Sequence, residues 1–375
     1  MNILIGADVV PTKSNIDQFK SGNVLNLVDE RLSCILHDAD YKIFNLETPL
    51  VETKDPILKC GPNLSAPVST IYGYKALGTS LLTLANNHIM DQDEQGLSQT
   101  IAALENEKID YIGVGNNISE ACRGKIVVID GKKIGIYACT EHEFSIATDN
   151  MAGANPFDPL NSYDHIENLK QHCEFVIVLY HGGKEHYRYP SPYLKRVCEK
   201  FVDKGANVVL CQHSHCIGCE EKYKNGTIVY GQGNFLFDAS ENVLWQTGLL
   251  VQITDGFKVN YIPVQKDGNK VKYADNADDI FSQFYKRSEQ IIEAEFIEAN
   301  YKQFSLSNID NYLSILSGAK YGLVFRILNK ISGHKLKSYL LSRKYNSQRR
   351  TIIQNCIECE AHRELIIEGL KKYDS

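Results

Sequence analysis

No stretch of about 18 consecutive apolar residues occurs in this chain, so its sequence holds no candidate membrane-spanning helix. Long basic blocks are missing too. With a net charge of −6, the charge pattern does not favour nucleic acid as a partner. The opening run Met1-Asn-Ile-Leu-Ile-Gly-Ala-Asp8 has no basic leader, no long apolar segment and no cleavage motif, so no signal peptide is expected. Neither an internal repeat nor a low-complexity tract is found.

What is present is ordinary for a globular protein: 43% hydrophobic and 23% charged residues over 375 positions. That length allows one large α/β domain with an appendage, or two domains. Eleven cysteines, an odd number, are scattered through a chain too long to need disulfide staples. Free thiols and a cytoplasmic location are the expectation. From residue 1 to 268, short apolar runs alternate with helix-compatible segments. Val24–His37 reads as one helix, and Asp130-Gly131 between two apolar runs reads as a hairpin turn. Beyond that point Ile280–Tyr301, Asn308–Leu316, Tyr321–Ser332 and Arg349–Lys372 read as helices. The pattern therefore divides the chain into a domain over 1–268 and a helical C-terminal region over 269–375.

The most informative stretch is Cys211-Gln-His-Ser-His-Cys216, which follows the apolar run Asn207-Val-Val-Leu210. On an extended chain His213 and His215 point the same way, with Cα atoms about 6.5–7 Å apart. Such a pair suits two imidazoles that each hold one of two neighbouring metal ions. Four upstream strand ends also finish in ligand residue types: Asp8, Glu47, Asn87-His88 and His181. In α/β sheets the loops at the carboxyl ends of strands converge on the ligand site. Carboxylate, amide oxygen and imidazole together suit borderline divalent metals such as Mn, Fe and Zn.

Gly6-Ala-Asp8, Asn45-Leu-Glu-Thr-Pro-Leu50, Ala85-Asn-Asn-His88 with Asp91, His181-Gly-Gly with Glu185, Gln212-His-Ser-His215 and Tyr230-Gly-Gln-Gly-Asn-Phe235 follow in order and spacing. In these the chain resembles the CapA family, the capsule and poly-γ-glutamate synthesis proteins of the calcineurin-like metallophosphatase superfamily. The resemblance covers roughly the first seven-tenths of the chain. It implies a four-layer α/β/β/α metallophosphatase-like sandwich, with the helical C-terminal region outside it, and a site for two divalent ions. It implies that Glu47 bridges them, that Asn87, His181 and His213 complete one site, and that Asp8 and His215 hold the other. His88 would be the general acid, oriented by Asp91. Val10 stands where the wider superfamily has a histidine, which makes the Asp8 site the weaker one. Glu47 replaces the usual bridging aspartate, and Gln212 replaces a glycine before His213.

A water bridging the two ions would be acidified toward neutrality and could attack phosphorus, with His88 protonating the leaving oxygen. Glu185, His186 and Arg188 follow the Gly182-Gly183 turn and are candidate substrate contacts, Arg188 through bidentate binding of phosphate or carboxylate. Asn234 is expected to shape the loop beside the site. The expected function is metal-dependent phosphoester hydrolysis in capsule or other surface-polymer biosynthesis, on a phosphorylated or amide-containing precursor. Two rivals stand beside it: a non-hydrolytic role in poly-γ-glutamate or capsule assembly, and a metal-dependent amidase or transferase on the same site. The oligomeric state is left open.

Overall fold

Strand Ile3–Val10 is buried along its whole length. Burial on both faces marks a central strand, covered above and below. A computed structural model describes residues 1–237, 241–318 and 322–371. In it Ile3–Val10 sits in an eight-stranded sheet. Tyr41–Leu46, Leu81–Thr83 and Asp110–Ile112 extend the sheet on one side with parallel pairing. Thr247–Thr254, Lys258–Asp267 and Lys270–Tyr273 extend it on the other with antiparallel pairing. Past Ile5 the central strand shifts register against Tyr41–Leu46, where Asp8 pairs with Asn45, and on its other side Asp8 pairs with Asn234 of the short strand Asn234–Phe237. A second, six-stranded sheet runs Glu220–Tyr223, Gly226–Val229, Val208–Gln212, Phe175–His181, Lys132–Thr140, Lys125–Ile129.

Three apolar clusters define four layers. Ile3, Ile5 and Ile43 of the first sheet pack against Ile136, Ile177 and Leu210 of the second. The outer face of the first sheet, including Leu4 and Phe44, is covered by Leu32, Tyr74 and Leu104 from helices. Tyr137, Val178 and Val209 on the far side of the second sheet are covered by Ile166, Val197 and Phe201. This is the expected α/β/β/α sandwich.

Strands stop at Tyr273, but the first compact unit runs from Met1 to Glu298 and the second from Ala299 to Ser375. Helix Ala277–Gln290 belongs to the first, since its Ile280 and Phe284 enter the core between the sheets. The second unit is helical, with a small core around Leu313, Leu341 and Tyr345. Tyr321 and Lys372, at the ends of two expected helices, lie outside the described residues. All eleven cysteines are free thiols. Among the described residues no helix is long and apolar enough to cross a membrane.

Two local expectations are corrected. The single helix over Val24–His37 is broken, because Val28 bridges to Val271 and Asp29 then caps a new helix, Glu30–His37, by accepting from the Leu32 N–H at 3.0 Å. The extended geometry expected for His213 and His215 is also overturned. The strand ends at Gln212, and both histidines sit in a loop with φ of 79° and 51°. Their proximity comes from that turn, not from strand periodicity.

Candidate metal centre

Glu47 follows the end of Tyr41–Leu46, and Asn86, Asn87 and His88 follow Leu81–Thr83. His181 is the last residue of its own strand. Parallel pairing brings these ends to one edge: Asp8 opposes Asn45, and Gln212 opposes His181. All six sequence-derived ligand residues are buried together there: Asp8, Glu47, Asn87, His181, His213 and His215.

His181 Nε2 lies 3.0 Å from Asn87 Oδ1, 3.3 Å from Glu47 Oε1 and 3.2 Å from His213 Nδ1. Such separations are those of neighbouring donors each about 2.1 Å from a common ion. On the other side, His215 Nδ1 lies 3.4 Å from Asp8 Oδ2 and 2.9 Å from Asn234 Oδ1. Bonds from Nδ1 to those oxygens orient the ring and leave Nε2 as a ligand atom. Glu47, His213 and His215 offer atoms within 4.8 Å of one another, a group able to hold a metal ion.

The unpaired atoms support that reading. Both oxygens of Glu47 are buried without a hydrogen-bond partner, and Oδ2 of Asp8 is buried with only the His215 ring at 3.4 Å to meet it. An unsatisfied buried polar atom costs about 1–3 kcal/mol, more when charged, so the arrangement asks for a cation. The donor set of carboxylate, amide oxygen and imidazole fits a divalent metal.

The protonation pattern has the same origin. Burial, with Asp8 close by, pushes Glu47 up to about 8. For Asp8 burial works the other way, but bonding from His215 and the charge of His181 hold its carboxyl at about 2. Burial lowers His181 to about 4 and drives His213 well below the ordinary imidazole range. His215 resists burial through its bond to Asp8 and is raised to about 9.

His88 stands beside this group. Its Nδ1–H donates to Asp91 Oδ2 at 2.6 Å, which fixes the tautomer and leaves Nε2 for chemistry. Lys59, from the proline-rich loop after Glu47, donates to Asp91 Oδ1 at 2.5 Å and lies 3.3 Å from His88 Nδ1. Lys59 and Asp91 are both almost fully buried. A lone lysine in an irregular loop carries no spacing signal, so sequence reasoning missed it. Asn45 and Asn86 form the scaffold beneath: Asn45 Nδ2 donates to Asp8 Oδ1, and Asn86 Nδ2 donates to Asn45 Oδ1 and to the Leu46 carbonyl.

A cleft of about 730 Å³ opens over the centre, lined among others by Lys59, His88, Glu143, Glu185, His215 and Trp245. Asn87 Nδ2 donates to Glu143 Oε2, so the Glu141-His142-Glu143 strand end also reaches the site. Glu185 lies in the cleft, lowered by His213 and His215 against the effect of burial. His186 is exposed and accepts a hydrogen bond from Trp245 Nε1 at 2.8 Å. The Trp245 ring lies 4.3 Å from that of His215. Asn234 contacts His215 directly, delivered by Gly231 and Gly233, whose φ values of 128° and 73° favour glycine. Arg188 is not brought to the cleft. It lies near the buried Arg287, whose guanidinium is lowered by burial and by that like charge.

The family model for the bacterial capsule synthesis protein PGA_cap matches residues 5–239, more than half of the chain. The chain belongs to this family. Among its relatives, the capsule biosynthesis protein CapA of Bacillus anthracis is 31% identical over 56% of this chain and 54% of its own length. The PGA biosynthesis protein CapA of Bacillus subtilis strain 168 is 28% identical over 64% of this chain and 67% of its own. The match thus spans only about half of the first of these relatives. A solved structure of a novel phosphatase from Mycoplasma pneumoniae covers 71% of this chain and 94% of its own, at 15% identity and a TM-score of 0.45.

Proposed function

We propose that this PGA_cap member is a metal-dependent hydrolase of phosphoester type, acting on a phosphorylated precursor of a capsule or other surface polymer in the cytoplasm. The observation that carries the reading is the buried, partnerless Glu47 carboxylate among His181, His213 and Asp8, beside the His88–Asp91–Lys59 chain. Asp8, Glu47, Asn87, His181, His213 and His215 would hold two divalent ions of the Mn, Fe or Zn type, with Glu47 shared. When bound, those ions supply Lewis acidity and a water acidified toward neutrality.

The chain's own residues do the rest. Asp91 holds the His88 ring through Nδ1, so that Nε2 faces the leaving oxygen and can serve as its proton donor. Lys59 donates to the other oxygen of Asp91 and so fixes the carboxylate that positions the His88 ring. Trp245 and Phe237 form an apolar wall that keeps water from part of the cleft. Glu185 disfavours a second negative charge near it and so orients an anionic substrate away from its own side.

Metal content of protein purified without chelator, paired with aryl-phosphate turnover across added Mn, Fe, Zn and Mg, tests the proposal. Bound metal with metal-dependent turnover supports it. Protein that takes up no metal under any condition overturns it. The relatives are named for capsule and PGA biosynthesis, and a second reading consistent with those names is a non-hydrolytic role in assembling such a polymer. Bound metal with no turnover on any phosphoester would favour that alternative.

A further inference from the structure

The second unit contains a helix, Leu323–Ile331, whose burial is inverted. Its one buried residue is Asn329, while Leu323, Val324, Ile327 and Ile331 are 50% exposed or more. At about 100° per residue, Leu323, Ile327, Ile331, Val324 and Leu328 fill a continuous arc of about 140°. Arg326 and Lys330 stand at one rim of that arc, both exposed. The surrounding sequence is one-signed. Between Asp310 and Glu358 there is no aspartate or glutamate, while Arg326, Lys330, Lys335, Lys337, Arg343, Lys344, Arg349 and Arg350 fall within it. On the following helices Lys335, Arg343, Lys344, Arg349 and Arg350 are also exposed.

We infer that this helix and its basic surroundings form a membrane-surface docking face for a bilayer rich in anionic lipid. The two halves of the observation select that occupant together. A soluble polyanion would use the cations and leave the apolar arc in water. A second copy laying the same face against this one would bring two carboxylate-free basic surfaces together. An anionic bilayer surface takes both: the arc enters the boundary of headgroups and acyl chains, and the cations meet lipid phosphates. The helix lies in the interface and does not span it, in keeping with its nine residues. The helix belongs to the second compact unit and the ligand residues to the first, and the inference uses none of those ligand residues, so it does not rest on phosphoester hydrolysis.

The test is flotation of the full chain with vesicles of equal parts phosphatidylcholine and phosphatidylglycerol, against phosphatidylcholine alone, at low and high salt. The expected result is flotation with the anionic vesicles only, reversed by salt. Val324→Glu with Ile327→Glu should abolish it, and each of Lys335→Gln and Lys337→Gln should weaken it roughly fivefold. Circular dichroism and sedimentation on the variants show that the fold persists. Absence of flotation at low salt overturns the inference, as does wild-type binding by the Val324/Ile327 variant. So does a dimer that the same two apolar changes dissolve, or equal binding of soluble polyglutamate by wild type and variant.

Discussion

Glu47 and Lys59 are each tied to one buried carboxylate problem, and each has a different solution. Glu47 lacks any hydrogen-bond partner, so its ionised form needs a cation from outside the chain. Asp91 has a cation supplied by the chain, through Lys59. His213→Ala and Asn87→Ala should therefore lose bound metal and turnover together, whereas His88→Ala should keep metal and lose turnover. Elemental analysis beside the aryl-phosphate assay separates the two, and loss of metal from His88→Ala would make that residue a ligand. Lys59→Met should leave Asp91 short of charge compensation and cost about 3–5 kcal/mol of stability. The double change Lys59→Met with Asp91→Asn should recover much of that in denaturant unfolding. Additive losses in the double variant would mean that the two residues do not compensate each other.

At the scale of elements, the metal centre depends on how loops leave the strands. His213 and His215 adopt left-handed backbone, a conformation that costs a non-glycine residue on the order of 1 kcal/mol or more. The loop is held against this by its surroundings. Arg287, on helix Ala277–Gln290, donates from Nε to the Gly218 carbonyl at 2.7 Å and from Nη2 to the Ile217 carbonyl at 3.3 Å. Stored strain gives a simple comparison. Both His213→Gly and His213→Ala delete the imidazole, but only glycine relaxes the φ of 79°. In metal-free protein the glycine variant should be the more stable by about 1 kcal/mol. Equal melting temperatures would show that the loop relaxes without cost.

For the whole molecule, the buried charges predict how stability follows pH once metal is removed. Glu47 is held near 8, above its ordinary 4.5, so the folded chain keeps a proton that the unfolded chain has released, and stability falls as pH rises through that window. His215, raised to about 9, contributes stability that is fully present below its ordinary 6.5 and is lost as pH rises through 9. Asp8 acts at the other end, contributing above 3.8 and losing this as pH falls toward 2. The chelated chain should thus melt at progressively lower temperature from about pH 5 to about pH 9, and Glu47→Gln should flatten the fall. Added Mn or Zn should raise the melting temperature more at the alkaline end. A pH-independent melting temperature in chelator would remove the basis for this charge arrangement. The alternation of strands and helices, the carboxylate and imidazole types at the strand ends, and the family motifs were determined by the sequence alone, because apolar periodicity and ligand chemistry are local properties. Only the tertiary structure decided that His213 and His215 meet through left-handed turns, that Lys59 reaches Asp91 from a featureless loop, and that Arg188 stays away from the cleft. It also carried the first compact unit on to Glu298, through a helix whose apolar residues complete the core between the sheets. Each of these depends on which distant surface covers a residue, and burial of that kind has no signature along the chain.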